Sequence, residues 1–206
     1  MVTIWGRISS INVRKVVLAA QILEIPFERL DAGGEFGVVG TPAYLKRNPN
    51  ALVPMLEDGG FDLWESNVIV RYLCAKYAEG RMYPAELKAR FDAERWMDWQ
   101  QTTLNRAGRE AFIQLVRTPL EQRDAMVIAH STAMTMVLHA MLDDHLSRNA
   151  FMAGGAITMA DIPIACEMHR WFGLPQERQH FPHLEAWYAR ILALPASKGV
   201  LDIELT

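Results

Sequence analysis

Residues 52–78 read LVPMLEDGGFDLWESNVIVRYLCAKYA, and the fold is decided there. Leu52 to Leu56 is apolar and β-prone, Asp58-Gly59-Gly60 supplies turn chemistry, and Phe61 to Trp64 resumes an extended pattern. Residues 65–78 then space apolar groups at 68, 69, 72, 73 and 76 or 77, the spacing of an amphipathic helix. The stretch therefore predicts strand, tight turn, strand, helix. Toward the N-terminus, residues 2–5 are β-prone, and residues 13–23 carry Val13, Val16, Val17, Ala20 and Leu23 at helical spacing. Residues 26–30 suit a second short strand. The order is βαβ followed by ββα. Between the two halves, residues 33–40 hold four glycines in eight positions, which predicts a mobile loop without an element of its own.

Composition changes after Gly80, and no strand pattern recurs from Ala85 to the end. Glu86 to Arg117 is one long candidate helix, stopped before Pro119, and Leu120 to Leu146 is another. Ile157-Thr158-Met159-Ala160-Asp161-Ile162 has the form of a helix start. Thr158 is the cap, Asp161 answers it, and Ile157 and Ile162 form a hydrophobic staple. A last helix is predicted at about 183–194. The chain divides into an α/β domain at 1–79, a linker at 80–85 and an all-helical domain at 86–206.

The 206 residues, half of them apolar, can bury a sizeable core. Twenty-one basic and 24 acidic side chains give a net charge of −3 with no long run of either sign, which argues against a nucleic-acid partner. Cys74 and Cys166 are the only cysteines, and both fall in apolar, helix-like stretches, so a reducing, cytoplasmic setting is expected. The N-terminus resembles a first strand and not a signal peptide. Charged or polar residues interrupt each apolar stretch, so no membrane span is expected. The six histidines form no metal-ligand spacing, and no metal is expected.

Gly6 to Arg14, GRISSINVR, joins the first strand to the first helix and puts Ser9, Ser10 and Asn12 at a helix N-terminus, where free N–H groups and the helix dipole favour an anion. A thiol of pKa about 8.5 is only about 3 per cent ionised at pH 7, and lowering that by about 2 units takes roughly 2.7 kcal/mol. One hydrogen bond to the anion (about 1.5 to 3 kcal/mol) plus the dipole (about 0.3 to 1) is enough. The competing reading is that Ser10 only caps the helix and Asn12 is a solvated first-turn residue. Val53-Pro54 precedes a strand and suits a cis bond that turns backbone toward a ligand. Glu65-Ser66 opens a helix, so Ser66 suits a carboxylate and Glu65 an ammonium, with simple capping as the alternative. Met126, Met134, Met136 and Met141 share one helix and read as core filler or a pliable apolar wall. No cysteine stands at the first helix start, which disfavours a thioredoxin-type redox mechanism.

Taken in order, Ser10-Ile-Asn12-Val-Arg14, Asn48-Pro49-Asn50-Ala-Leu-Val53-Pro54, Leu63-Trp-Glu65-Ser66 and Thr158-Met-Ala-Asp161 resemble the cytosolic glutathione transferase superfamily, theta-like or a related bacterial class, over nearly the whole chain. The resemblance implies a thioredoxin-like first domain that binds glutathione as co-substrate, an all-α second domain that lines an electrophile pocket, and a homodimer. It implies catalytic roles for Ser10 and Asn12 at the thiolate. Val53 and Pro54 would hold the cysteinyl segment, and Glu65 and Ser66 the γ-glutamyl end. It places Trp99, Thr102, Thr103 and Arg106 on the fourth helix, toward the electrophile. Leu52 departs from the pattern, since many theta-like members have a lysine there for the glycyl carboxylate; that contact would come from elsewhere, such as the 33–47 loop, or be absent. The implied reaction joins glutathione sulfur to a small apolar electrophile. Glutathione-dependent peroxide or disulfide reduction, or a non-catalytic binding module of the same fold, is the alternative.

Overall fold

The computed structural model describes residues 1–206. Four short strands, β1 (Val2–Trp5), β2 (Phe27–Leu30), β3 (Met55–Asp58) and β4 (Phe61–Trp64), form one sheet in the order β2-β1-β3-β4. β1 pairs parallel with β2 and antiparallel with β3, and β3 pairs antiparallel with β4. Helix α1 (Ile11–Ile22) crosses between β1 and β2, the short α2 (Pro42–Leu45) precedes β3, and α3 (Ser66–Ala78) follows β4. This is the predicted βαβ-ββα order. Helices α4 (Leu87–Trp99), α5 (Asn105–Phe112), α6 (Ala125–Leu146), α7 (Asp161–Gly173) and α8 (Pro182–Leu192) make up the rest.

The third strand lies later than the sequence predicts. Pro54 has no N–H to donate, so pairing with β1 begins only at Met55, and Leu52 and Val53 stay outside the sheet. Asp58 pairs with Phe61, leaving Gly59-Gly60 as a two-residue turn, both at positive φ as such a hairpin requires. The glycine-rich stretch is also more regular than expected. Gly34–Phe36 form a turn of 3₁₀ helix, closed by the Gly33 N–H donating to the Gly37 carbonyl at 2.8 Å.

The predicted helix at 86–117 is one continuous rod, α4 and α5, with π-helical turns at Gln100–Leu104 and Ile113–Arg117. α6 begins at Ala125, five residues later than predicted, because the Asp124 carboxylate accepts from Met126 and Val127 N–H groups and fixes the start there. The cap at 158–161 forms: Thr158 Oγ1 accepts from the Ala160 N–H at 3.3 Å, and Asp161 Oδ2 accepts from the Thr158 N–H at 2.9 Å.

α1 joins the two halves. It packs on α3 on one side and α7 on the other, so residues 13–20 are all buried, Arg14 and Lys15 included. A single cluster of 38 buried apolar residues runs from Val2 to Leu201 through both halves. α6 is the exception to burial. It is long and apolar enough to cross a bilayer, contrary to the sequence expectation, yet it packs on α5 and α8 within the bundle. Met126, Met134 and Met141 are exposed, so they are not core filler; only Met136 packs on the core.

Candidate active site

Two cavities flank the N-terminus of α1. The first is bounded by the starts of α1 and α3 and by the loop into β3, and it brings together Asn12, Val53, Pro54, Glu65 and Ser66. Each position has a local cause. Ser66 opens α3 immediately after β4, so the first N–H groups of that helix have no partner within it and face the cavity mouth. Ser66 Oγ donates to Asn12 Oδ1 at 3.2 Å, which ties the two helix starts together and leaves the Asn12 amide N–H groups available. Glu65 is exposed and sits at φ 73°, ψ 106°, a conformation that side chains other than glycine rarely adopt. The Val53–Pro54 bond is cis.

At the far end of this cavity, Leu52 is 65% exposed and its carbonyl accepts from Tyr44 Oη at 2.7 Å and from Asn48 Nδ2 at 2.8 Å. Of the two cations near it, Arg47 is committed to Asp62 and Glu57, each at 2.5 Å, so it does not substitute for a lysine at 52. Lys46 is exposed. Asn48 and Asn50 are the polar side chains lining this end.

Ser10 lies in the second cavity, with Ser9, on the other side of the helix start. Its backbone is in the N-cap position, but its hydroxyl makes no capping hydrogen bond, so the capping alternative does not describe it. The remaining wall of this cavity of about 130 Å³ is basic, with Arg7, Arg117 and Arg170 around Phe112. His169 is neutral. Burial and the neighbouring Arg14 push its pKa down to about 4. Its Nδ1 faces the Leu201 carbonyl at 2.9 Å and must carry the proton, which leaves Nε2 to accept from Arg14. Cys166 also lines the cavity, but burial pushes its thiol up to about 12.

Behind the first cavity runs a buried polar network that sequence reasoning missed. Lys15 Nζ donates to Gln100 Oε1 at 2.9 Å and to Gln101 Oε1 at 3.0 Å. Adjacent residues on a regular α-helix point about 100° apart; the π-turn at 100–104 brings both amides to one ammonium. Gln100 Nε2 donates to Glu167 at 2.8 Å, and Asn67 Nδ2 donates to the Met97 carbonyl at 2.7 Å. Gln101 also lines the cavity, so the network connects its wall to α7. Burial pushes Lys15 down to about 8, against the pull of Glu167. The sequence did contain a signal: two cations, Arg14 and Lys15, between Val13 and Val16.

The fourth-helix residues expected at the electrophile line neither of these two cavities. Thr102, Thr103 and Arg106 line an outer groove against α6, with Met126 and Met134. Trp99 packs edge-on against Trp96 at 5.4 Å between centroids and on the core. The structure does not bring these residues together with Ser10.

Residues 1–75 match the family model for the glutathione S-transferase N-terminal domain, and residues 106–195 match that for the C-terminal domain. The chain is 40% identical to glutathione S-transferase GstB of Escherichia coli over the full length of both. It is 32% identical to rat glutathione S-transferase theta-1, over 87% of this chain and 78% of that one. Among solved structures, the theta class glutathione S-transferase from Xanthomonas axonopodis pv. citri with glutathione bound superposes with a TM-score of 0.95 at 42% identity, covering 100% of this chain and 99% of that one.

Proposed function

We infer, from the premise that this chain belongs to the glutathione S-transferase family, that its first cavity holds glutathione and that the start of α1 stabilises the thiolate. The chain is a transferase enzyme with glutathione as co-substrate. The observation that carries the site assignment is that Asn12, Val53, Pro54, Glu65 and Ser66, from three separate pieces of sequence, line one cavity between two helix N-termini. The γ-glutamyl carboxylate meets Ser66 and the unpaired N–H groups of α3, and Glu65 receives the ammonium. The cysteinyl segment runs along Val53. Its sulfur then lies at the first turn of α1, between Asn12 in this cavity and Ser10 in the next.

The chemical step is attack by the thiolate on an electrophile in the second cavity. Ser10 donates from its free hydroxyl, and Asn12 from its amide, to a sulfur anion that the dipole of α1 also favours. The expected outcome of combining Ser10→Ala with Asn12→Ala is a loss of about 100-fold in turnover of a model electrophile, at two charge-assisted hydrogen bonds of about 1.5 kcal/mol each. The thiolate absorbance of bound glutathione should titrate at higher pH in the double variant. Undiminished turnover would show that other groups activate the sulfur.

The protein acts as a cytoplasmic homodimer. Support comes from exposed apolar side chains on β4, α3, α4 and α6, among them Phe61, Val68, Phe91 and Val137. Sedimentation equilibrium tests this, and a single monomeric species at micromolar concentration would remove it.

A further inference from the structure

We propose that the electrophile carries a carboxylate: the second cavity is an anion pocket, and the enzyme acts on small halocarboxylates and their charge equivalents. The inference rests on the transferase reading above and narrows its substrate class, replacing an apolar electrophile with an anionic one.

Three arginines from three segments converge here, Arg7 from the loop after β1, Arg117 from the end of the α4–α5 rod and Arg170 from α7, and no carboxylate lines the cavity. Their commitments differ. Arg170 is held from behind, by Asn105 Oδ1 at 2.9 Å and Glu167 Oε2 at 3.4 Å. Arg117 donates to one main-chain oxygen, that of Thr206 at the last position, at 3.2 Å, and forms no ion pair with a side chain. Arg7 forms no ion pair. A fourth arginine, Arg14, is spent on the carbonyls of Ile8, Val200 and Glu204 and serves the fold.

The three guanidinium groups are positioned. Arg117 and Arg170 each lie over the Phe112 ring, at 4.7 and 4.6 Å from its centroid. Arg7 rests on Gly33 and Gly34, where an added Cβ would come within 2.9 and 3.0 Å of its guanidinium. The two glycines leave the space it occupies. Burial, together with the nearby charges of Arg7 and Arg170, holds the pKa of Arg117 below its ordinary value. A carboxylate, with two oxygens in one plane, is the partner that such planar donors accept in pairs. Ser9 and Ser10 share the wall, so an anion held by the arginines places its neighbouring carbon beside the sulfur. The cavity volume of about 130 Å³ suits two or three carbons plus a leaving group.

The thiol proton leaves to solvent as glutathione binds. The sulfur lone pair then forms the C–S bond to the halogen-bearing carbon, the C–halogen bond breaks, and halide departs with the bonding electrons while the carboxylate stays on the arginines. In free solution a carboxylate repels an approaching thiolate. Arg7 and Arg117 remove that penalty.

Iodoacetate and iodoacetamide test the proposal, because they match in size and reacting carbon and differ in charge. With the full chain and saturating glutathione, the ratio of kcat/KM for iodoacetate over iodoacetamide should exceed the ratio of the uncatalysed rate constants by at least about tenfold, the value of one charged hydrogen bond. Arg7→Gln and Arg117→Gln should each lower that ratio about tenfold, and Arg7→Lys should retain most of it. Cys74 is buried, and mass spectrometry of the assayed protein checks that Cys166, which lines the cavity, stays unalkylated. Equal or lower preference for iodoacetate, or a preference that both glutamine variants keep, would overturn the anion pocket and leave the transferase reading in place. If neither reagent is accelerated, or if millimolar glutathione fails to raise Tm, both fall.

Discussion

Glu65 shows how the site and the fold compete at a single residue. A non-glycine side chain at φ 73° costs about 1–3 kcal/mol, and nothing in α3 requires it, since the helix proper starts at Ser66. The conformation turns the chain from β4 into α3 so that both the Glu65 carboxylate and the Ser66 N–H meet the cavity. Glu65→Gly should therefore leave stability unchanged or raise it by up to about 1 kcal/mol, strain relief being partly offset by the greater freedom of glycine in the unfolded chain. Glutathione affinity should fall at the same time. Calorimetric binding alongside thermal melts checks both halves, and a loss of stability without a loss of affinity would mean that the conformation serves the fold. Glu65, Ser66 and Asn12 were legible in the sequence because each sits where a strand pattern gives way to a helix pattern, and such junctions expose N–H groups. Arg7 and Arg117 were not legible. Their meaning depends on three distant segments meeting, and a lone arginine in a loop carries no trace of its neighbours.

At the level of elements, α1 explains most of what periodicity mispredicts. A helical pattern that seats Val13, Val16, Val17 and Ala20 on the sheet leaves Arg14 and Lys15 on faces expected to be wet, whereas α7 covers those faces. Lys15 is thus buried by a helix nearly 150 positions away in sequence, with the π-turn of 100–104 supplying its acceptors. The consequence is a pH dependence of known sign. The folded-state pKa of about 8 lies below the ordinary 10.5, so the unfolded chain binds the extra proton between those values and stability contributed at Lys15 grows as pH rises through that window. Urea midpoints of the wild type and Lys15→Met at pH 7.5 and 9.5 isolate this from the thiols and tyrosines. The wild type should gain on the variant as pH rises, and a constant difference would show that Lys15 is solvated. The same variant removes the donor that holds Gln101 at the cavity, so KM for glutathione should rise more than kcat falls. The segment at 157–162 is the opposite case, read correctly because a capping box is local. Asp161 there accepts from Met152 and Thr158 N–H groups and from Trp187 Nε1, each at 2.9 Å. Asp161→Ala leaves three buried donors unpaired and should cost at least about 3 kcal/mol in denaturant unfolding.

Across the whole molecule, one core serves both halves, so acid should unfold them together, in a single transition. The groups that decide where are buried and neutral. His139 on α6 lies edge-on to Trp171 and Phe181, neither ring nitrogen has a hydrogen-bond partner, and burial pushes its pKa down to about 3. His169 on α7 is pushed down to about 4. Both take up protons in the unfolded chain near pH 6.5 but not in the folded one, so stability falls as pH drops from about 6.5 toward 4. Asp161, raised to about 6 by burial, acts in the reverse sense between 6 and its ordinary 3.8 and offsets part of the loss. His139→Leu keeps an apolar group of similar size against Trp171 while removing two unpaired nitrogens and the titration. It should raise stability at pH 7 by about 1 kcal/mol or more, and should flatten the decline between pH 6.5 and 4.5. Parallel pH profiles of the urea midpoint check this. If the variant's profile tracks the wild type at every pH, the bundle around α6 admits water to His139, and the acid limb belongs to the carboxylates.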